Sequence, residues 1–266
     1  MQWEYAKPAE FEKMARDEKV CILPLGVLER HGEHLPLGTD ALVVHKIAVE
    51  AAKKEPCMVF PMFYFGQIHE ASFASGAVAF ETDYMLGLLR NVCDEIGRNG
   101  FTKIFLLVGH GGNLSMIDYF MMSTMDRDVP YTLYSVMYCQ NLSPEEQKAA
   151  GAIISSDGGH ADQWESSLVM SVCEDAVDLT LQRFPEPIKP LGNTRHLGRV
   201  KSPYWWYGDY PENVTGSPSL ASREKGDALM EIYIDRVAKD IKAIKEDTVI
   251  PALMREFTER KKKIGK

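Results

Sequence analysis

The sequence predicts an α/β fold with a mainly parallel central sheet, on three observations. Apolar runs of strand length alternate with amphipathic helical stretches, the pattern of βαβ units. The run KIFLLV, from Lys103 to Val108, is almost wholly apolar, as a parallel strand buried on both faces should be. Polar, glycine-punctuated stretches directly follow the first three such runs. In open α/β sheets the ligand crevice lies beyond the carboxyl ends of the strands.

Taken in order, Val20 to Gly26 reads as the first strand, and a helix from Ala41 to Lys53 follows the Thr39/Asp40 cap signal. Cys57 to Phe63 is the second strand. The next helix runs from Thr82 to Arg98, with Met85, Leu88, Leu89, Val92 and Ile96 on one face and Asn99-Gly100 as its stop. Lys103 to Val108 is the third strand, and Asn113 can cap the helix after it. Tyr131 to Met137 is the fourth strand. A helix near Trp164 to Cys173 comes next, then a Pro-, Gly- and aromatic-rich segment from about Phe184 to Ser222 that reads as long loops or a flap. A long helix from Arg223 to Glu246 carries an apolar stripe of Leu229, Tyr233, Val237, Ile241 and Ile244.

Composition bounds the function. The 266 residues suit one domain spanning 1–266, and 45% hydrophobic residues suffice for a sizeable core. A net charge of -8 argues against a nucleic-acid surface. The basic run Arg260 to Lys263 is expected to be a solvated helix end. Five widely spaced cysteines without a CxxC pair suit reduced core residues of a cytoplasmic protein. The N-terminus lacks an apolar signal region, and no apolar run reaches membrane-spanning length.

The most informative stretch runs from Glu29 to Asp40, ERHGEHLPLGTD, directly after the first strand. Glu29, His31, His34 and Asp40 can all bind a metal, with Glu33 as a further candidate. Carboxylates and imidazoles converging at the end of a buried strand destabilise a fold unless a cation holds them. Four of the seven histidines lie in three glycine-punctuated stretches: His31 and His34 here, His110 in VGHGGN, and His160 in DGGHADQWE. Nitrogen and oxygen ligands without thiolates suit Zn²⁺, Mn²⁺ or Fe²⁺. Asp40, a lone carboxylate between the clusters, can bridge two ions. Glu29 and His110 can complete one ion, His31 and Glu165 the other. Two ions about 3.5–4 Å apart activate a water and polarise a carbonyl. His160, flanked by Gly158 and Gly159, is the candidate to carry a proton to the leaving atom. His34, His69 and Trp164 are candidate substrate contacts. VGHGGN lacks the spacing and lysine of a phosphate-binding loop, and Ser115 and Ser155 lack a nucleophile-elbow context. The aromatic run Trp205-Trp206-Tyr207 suits a lid, a subunit contact or a satellite cluster under a loop.

At these residues the chain resembles the creatininase (creatinine amidohydrolase) family. LPLGVLERHGEHLPLGTD is similar to that family's first signature, LLVGHGGN to its Asn-Gly-His-Gly-Gly-Asn stretch, and GGHADQWESS to its Gly-His-Ala-Gly-x-x-Glu-Thr-Ser stretch. Residues 213–226, NVTGSPSLASREKG, resemble its closing pattern. The resemblance implies that Glu29, His31, Asp40, His110 and Glu165 are ligands of two divalent ions, zinc, manganese or iron. It places His160 at the reacting centre. It implies a three-layer αβα fold and a homo-oligomer, often a hexamer, acting on a small molecule. Creatinine hydrolases carry a Glu two residues after the third-strand His, where this chain has Gly112, so the second metal is expected to rest on Glu165 or to bind weakly. The stretch after strand two, His69 to Ala77, also departs from the family, and Asp162 replaces a Gly. A substrate other than creatinine is therefore expected: a small cyclic amide, a formamide or a related carbonyl compound. The alternatives are an oxidised inositol, or a non-catalytic scaffold that keeps its ligands for stability.

Overall fold

The computed structural model describes residues 1–154, 159–183 and 186–264. Four parallel strands, β1 (Val20–Leu25), β2 (Met58–Val59), β3 (Lys103–Val108) and β4 (Thr132–Met137), form one sheet in the order β2-β1-β3-β4. The side-chain alternation of the two central strands sorts the helices into layers. Val20 and Ile22 of β1 and Phe105 and Leu107 of β3 face a core shared with α2 (Thr39–Lys54), α6 (Gln163–Cys173) and α8 (Arg223–Glu246). Cys21, Leu23, Leu25, Ile104, Leu106 and Val108 face the opposite core, with α1 (Pro8–Asp17), α3 (Thr82–Arg98) and α4 (Asn113–Ser123). The result is αβα. The remaining helices are α5 (Pro144–Ile153), α7 (Trp205–Asp209) and α9 (Val249–Lys263).

The chain leaves β1 for β2 on one side and returns to β3 on the other, so a crevice opens between the carboxyl ends of β1 and β3. Two glycines let the first turn of α2 reach it. A Cβ on Gly26 would lie 2.4 Å from the Ala41 backbone, and one on Gly109 would lie 2.7 Å from Val44 and 2.9 Å from the Asp40 carbonyl. Only hydrogen at these positions permits the approach.

The structure amends the expected elements. The second strand is two residues rather than seven, because Pro61 has no N–H to extend the ladder. The chain stays extended and still bonds to β1, with Phe60 N donating to Ile22 O and Gly26 N donating to Phe63 O. Pro24 lies between those two bonds on the same side, so its missing donor costs the β1–β3 pairing nothing. Helix α2 begins at Thr39, not Ala41, and neither Thr39 nor Asp40 caps it. Asn113 does not cap α4 either; its Oδ1 accepts a hydrogen bond from Gln67 N at 2.8 Å. The 184–222 segment is largely irregular but holds α7; Phe184 lies outside the described residues, as do Ser155 and Gly158. The run Arg260 to Lys263 is the exposed last turn of α9. The five cysteines are unpaired, three of them buried. Among the described residues no helix is long and apolar enough to cross a membrane.

Candidate metal centre

Four segments deliver the predicted ligands to one place. Glu29 and His31 come from the loop after β1, Asp40 from the first turn of α2, and His110 from the turn after β3. His160 and Glu165 flank the start of α6, where Asp162 caps the helix by accepting from Trp164 N and Glu165 N. This capping gives Asp162 a structural role at the start of α6.

The two oxygens of Asp40 face different histidines. Oδ1 lies 3.4 Å from His31 Nε2, and Oδ2 lies 3.0 Å from His110 Nδ1. Glu29 Oε2 is 3.2 Å from His110 Nδ1, and Glu165 Oε2 is 3.6 Å from His31 Nε2. Two ligand-competent groups result, Glu29–Asp40–His110 and His31–Asp40–Glu165, with Asp40 in both. Glu29, His31 and His160 form a third such group. His31 Nδ1 lies 3.2 Å from the Glu29 carbonyl. Donation from Nδ1–H to that carbonyl leaves the Nε2 lone pair aimed at the carboxylates, as in metal-ligating imidazoles.

The donor set fits divalent cations on physical grounds. Glu29 Oε2, His31 Nε2 and Asp40 Oδ2 are buried and have no hydrogen-bond partner. Buried polar atoms without partners are rare, and here they point at one another. Without an ion the site balances its charge with protons. Burial opposes a charged His31, but Glu165, Asp40 and Glu29 outweigh it and push its pKa up to about 10. Burial raises Glu29 too, yet His160 and His110 hold it down to about 2. Asp40, likewise buried, is held low chiefly by His31 and His110. Burial lifts Glu165 to about 8 and lowers His160 to about 4.

His160 stands at the edge of this cluster. Its Nε2 is 3.6 Å from Glu29 Oε1 and its Nδ1 3.9 Å from Glu165 Oε2. Its ring lies 4.3 Å from that of His31 and meets the Trp206 ring nearly at right angles, with centroids 5.1 Å apart.

The other expected site residues are placed differently. His34 is buried, with Nε2 bonded to Ser166 Oγ at 2.9 Å. The Trp164 ring is used for packing: it stacks on Tyr138, and its N–H donates to Tyr233 OH. His69 is exposed, while its neighbour Glu70 turns toward His110. Glu33 pairs with Arg30 and Arg183, outside the ligand groups. Gly112 adjoins Glu70 and His110, while Glu165 groups with His31 and Asp40, the pair expected to hold the second ion.

Asn213 was missed as a site residue. Its amide Nδ2 donates to Glu29 Oε1 at 3.0 Å and to the Arg30 carbonyl, and lies 3.3 Å from His160 Nε2. The Trp206 indole N–H, a donor only, bonds Asn213 Oδ1 and so fixes which way the amide points. Asn213 has φ 53. Asn tolerates this left-handed backbone better than most residues, which was the available signal in the sequence.

The crevice position and the shared carboxylate define an α/β protein with a buried cluster of metal-competent groups joined at Asp40. The family described as Creatininase: creatinine amidohydrolase matches residues 4–241, and the chain belongs to this family. A 3-dehydro-scyllo-inosose hydrolase of Thermotoga maritima is 25% identical over 242 residues, covering 85% of this chain and 78% of the relative. A creatinine amidohydrolase of Pseudomonas putida is 22% identical over 254 residues, covering 88% and 93%. A crystal structure of creatinine amidohydrolase superposes with TM-score 0.74 at 19% identity, over 93% of this chain and 98% of that one, and shares the fold. Other solved creatininases are described as a Zn-Zn type and as a Mn form.

Proposed function

We propose that this protein is a divalent-metal-dependent hydrolase of a small carbonyl compound, a cyclic amide or formamide. The observation that carries this reading is Asp40, whose two oxygens face the separate histidines of two ligand groups while His160 stands beside both. Two ions so held would supply Lewis acidity for a carbonyl oxygen and an acidified water. Glu29 and Asp40 hold negative charge in place through the reaction. His160, lowered to about 4 by burial, is uncharged near neutrality and free to accept a proton and return it to the leaving atom. The side chains of the cluster are at most 11% exposed and Trp206 lies against His160, which favours a small substrate and restricts water. An inosose-type ketone is the second reading, supported by the name of the Thermotoga maritima relative.

The test is a screen of lactams, formamides and inososes with metal-loaded protein, repeated with His160→Asn. Turnover should fall by about 10²–10⁴-fold while metal content holds. If His160→Asn instead loses metal, His160 is a ligand. If the wild type turns over none of these compounds, the scaffold alternative stands. Creatinine is expected to be a poor substrate, and its efficient turnover would overturn that expectation.

We also infer a homo-oligomer. Tyr204, Trp205 and Tyr207 are exposed on the flap. A groove of about 850 Å³ with Met122, Met125, Ile250, Leu253 and Phe257 among its lining residues opens at the start of β4.

A further inference from the structure

Gly112 and Glu70 compete for one space. A Cβ on Gly112 would lie 2.4 Å from Glu70 Oε1 and 2.5 Å from His110 Nε2. Glycine therefore leaves room for a carboxylate that arrives from a different strand end. Glu70 sits in the short turn His69–Ala71, and its Oε2 is anchored by the Gln67 amide at 2.7 Å. Gln67 is itself held, its backbone N–H bonded to Asn113 Oδ1 and its Oε1 accepting from His69 N. Glu70 Oε1 stands 3.8 Å from His110 Nε2, a buried nitrogen with no hydrogen-bond partner. The other nitrogen of that ring, Nδ1, faces Glu29 and Asp40.

We propose that Glu70 is a positioning residue for His110: its carboxylate receives the Nε2–H and so presents the Nδ1 lone pair to the ion shared with Glu29 and Asp40. An imidazole that gives Nδ1 to a cation carries its hydrogen on Nε2, and that hydrogen needs an acceptor. Among the described residues this nitrogen has no hydrogen-bond partner, and Glu70 is the carboxylate facing it. A small closure of the 3.8 Å gap completes the bond. Glu70 is not itself in any of the ligand groups, so it acts through His110. This inference rests on the two-ion reading.

The test is Zn²⁺ titration of metal-free protein against a chromophoric chelator, for wild type, Glu70→Ala, Glu70→Gln and Gly112→Ala. Glu70→Ala should weaken one ion roughly 10–100-fold and leave the other unchanged. Glu70→Gln keeps an acceptor oxygen and should fall between. Gly112→Ala, which displaces the carboxylate and crowds His110, should weaken the same ion. In a Glu165→Ala background, which breaks the His31–Asp40–Glu165 group and keeps the Glu29–Asp40–His110 group complete, Glu70→Ala should still weaken the ion held by His110. Equal weakening of both ions, or unchanged affinity in Glu70→Ala, overturns the role of Glu70 alone. A wild type that binds no ion overturns the two-ion reading as well.

Discussion

His31 shows how a single side chain ties the centre to pH. Its pKa of about 10 means that a proton occupies the ligand position at neutrality and must leave when a cation binds. Affinity should therefore rise with pH, by about tenfold per unit for this one proton. His110, raised well above its usual value because Glu29 and Asp40 outweigh its burial, carries a competing proton as well. Below about pH 8 the proton on Glu165, lifted to about 8 by burial, adds to these and steepens the slope. Chelator competition with Zn²⁺ between about pH 6 and about pH 8 measures it; an affinity independent of pH would contradict the assignment of these groups. Asn213 makes a separate prediction at the same scale. Asn213→Ala leaves Glu29 Oε1 and the Arg30 carbonyl without their donor and replaces Asn, which tolerates left-handed backbone, by Ala, which does so less well. It should cost about 1–3 kcal/mol, with Asn213→Gly less damaging because glycine accepts the conformation. Thermal unfolding compares them, and an Asn213→Ala protein as stable as wild type would remove the role given to the amide.

Among the elements, α2 matters most, because its docking places Asp40. Gly109→Ala drives a Cβ against Val44 and the Asp40 carbonyl. It should cost about 1–3 kcal/mol and weaken metal binding together with stability. Gly111→Ala, with nothing within 4 Å, is the matched control. Unfolding and metal affinity of the pair decide it; equal behaviour would mean that the close approach is unimportant. The elements also show where local sequence suffices. β3, α3 and α8 have the predicted bounds because each is a continuous apolar run or stripe with a clear stop. β2 was overextended because Pro61 interrupts an apolar run without ending its extended course. The five ligand candidates were legible as candidates because each lies in a short glycine-containing loop or in the first turn of the helix after one. Glu70 and Asn213 were not, since their value lies in contacts made across the fold: Asn213 reaches Glu29 over a separation of 184 residues. His69 and Trp164 illustrate the converse, chemically suggestive side chains that the fold turns to solvent or packing.

At the scale of the whole molecule, strand order decides function. Placing β1 and β3 side by side with β2 beyond β1 opens the crevice where the loops after both strands, α2 and the start of α6 converge. The exposed aromatic flap and the apolar groove at β4 lead us to expect self-association; sedimentation at micromolar concentration should give a mass above the 30.0 kDa of one chain, and a monomer would count against it. The central claim, two cations joined by one carboxylate, is tested most directly by the metal content of Asp40→Ala. Folded wild type should carry two divalent ions per chain, and folded Asp40→Ala should lose both together. A variant that keeps one ion at full occupancy, or both, would contradict the bridge.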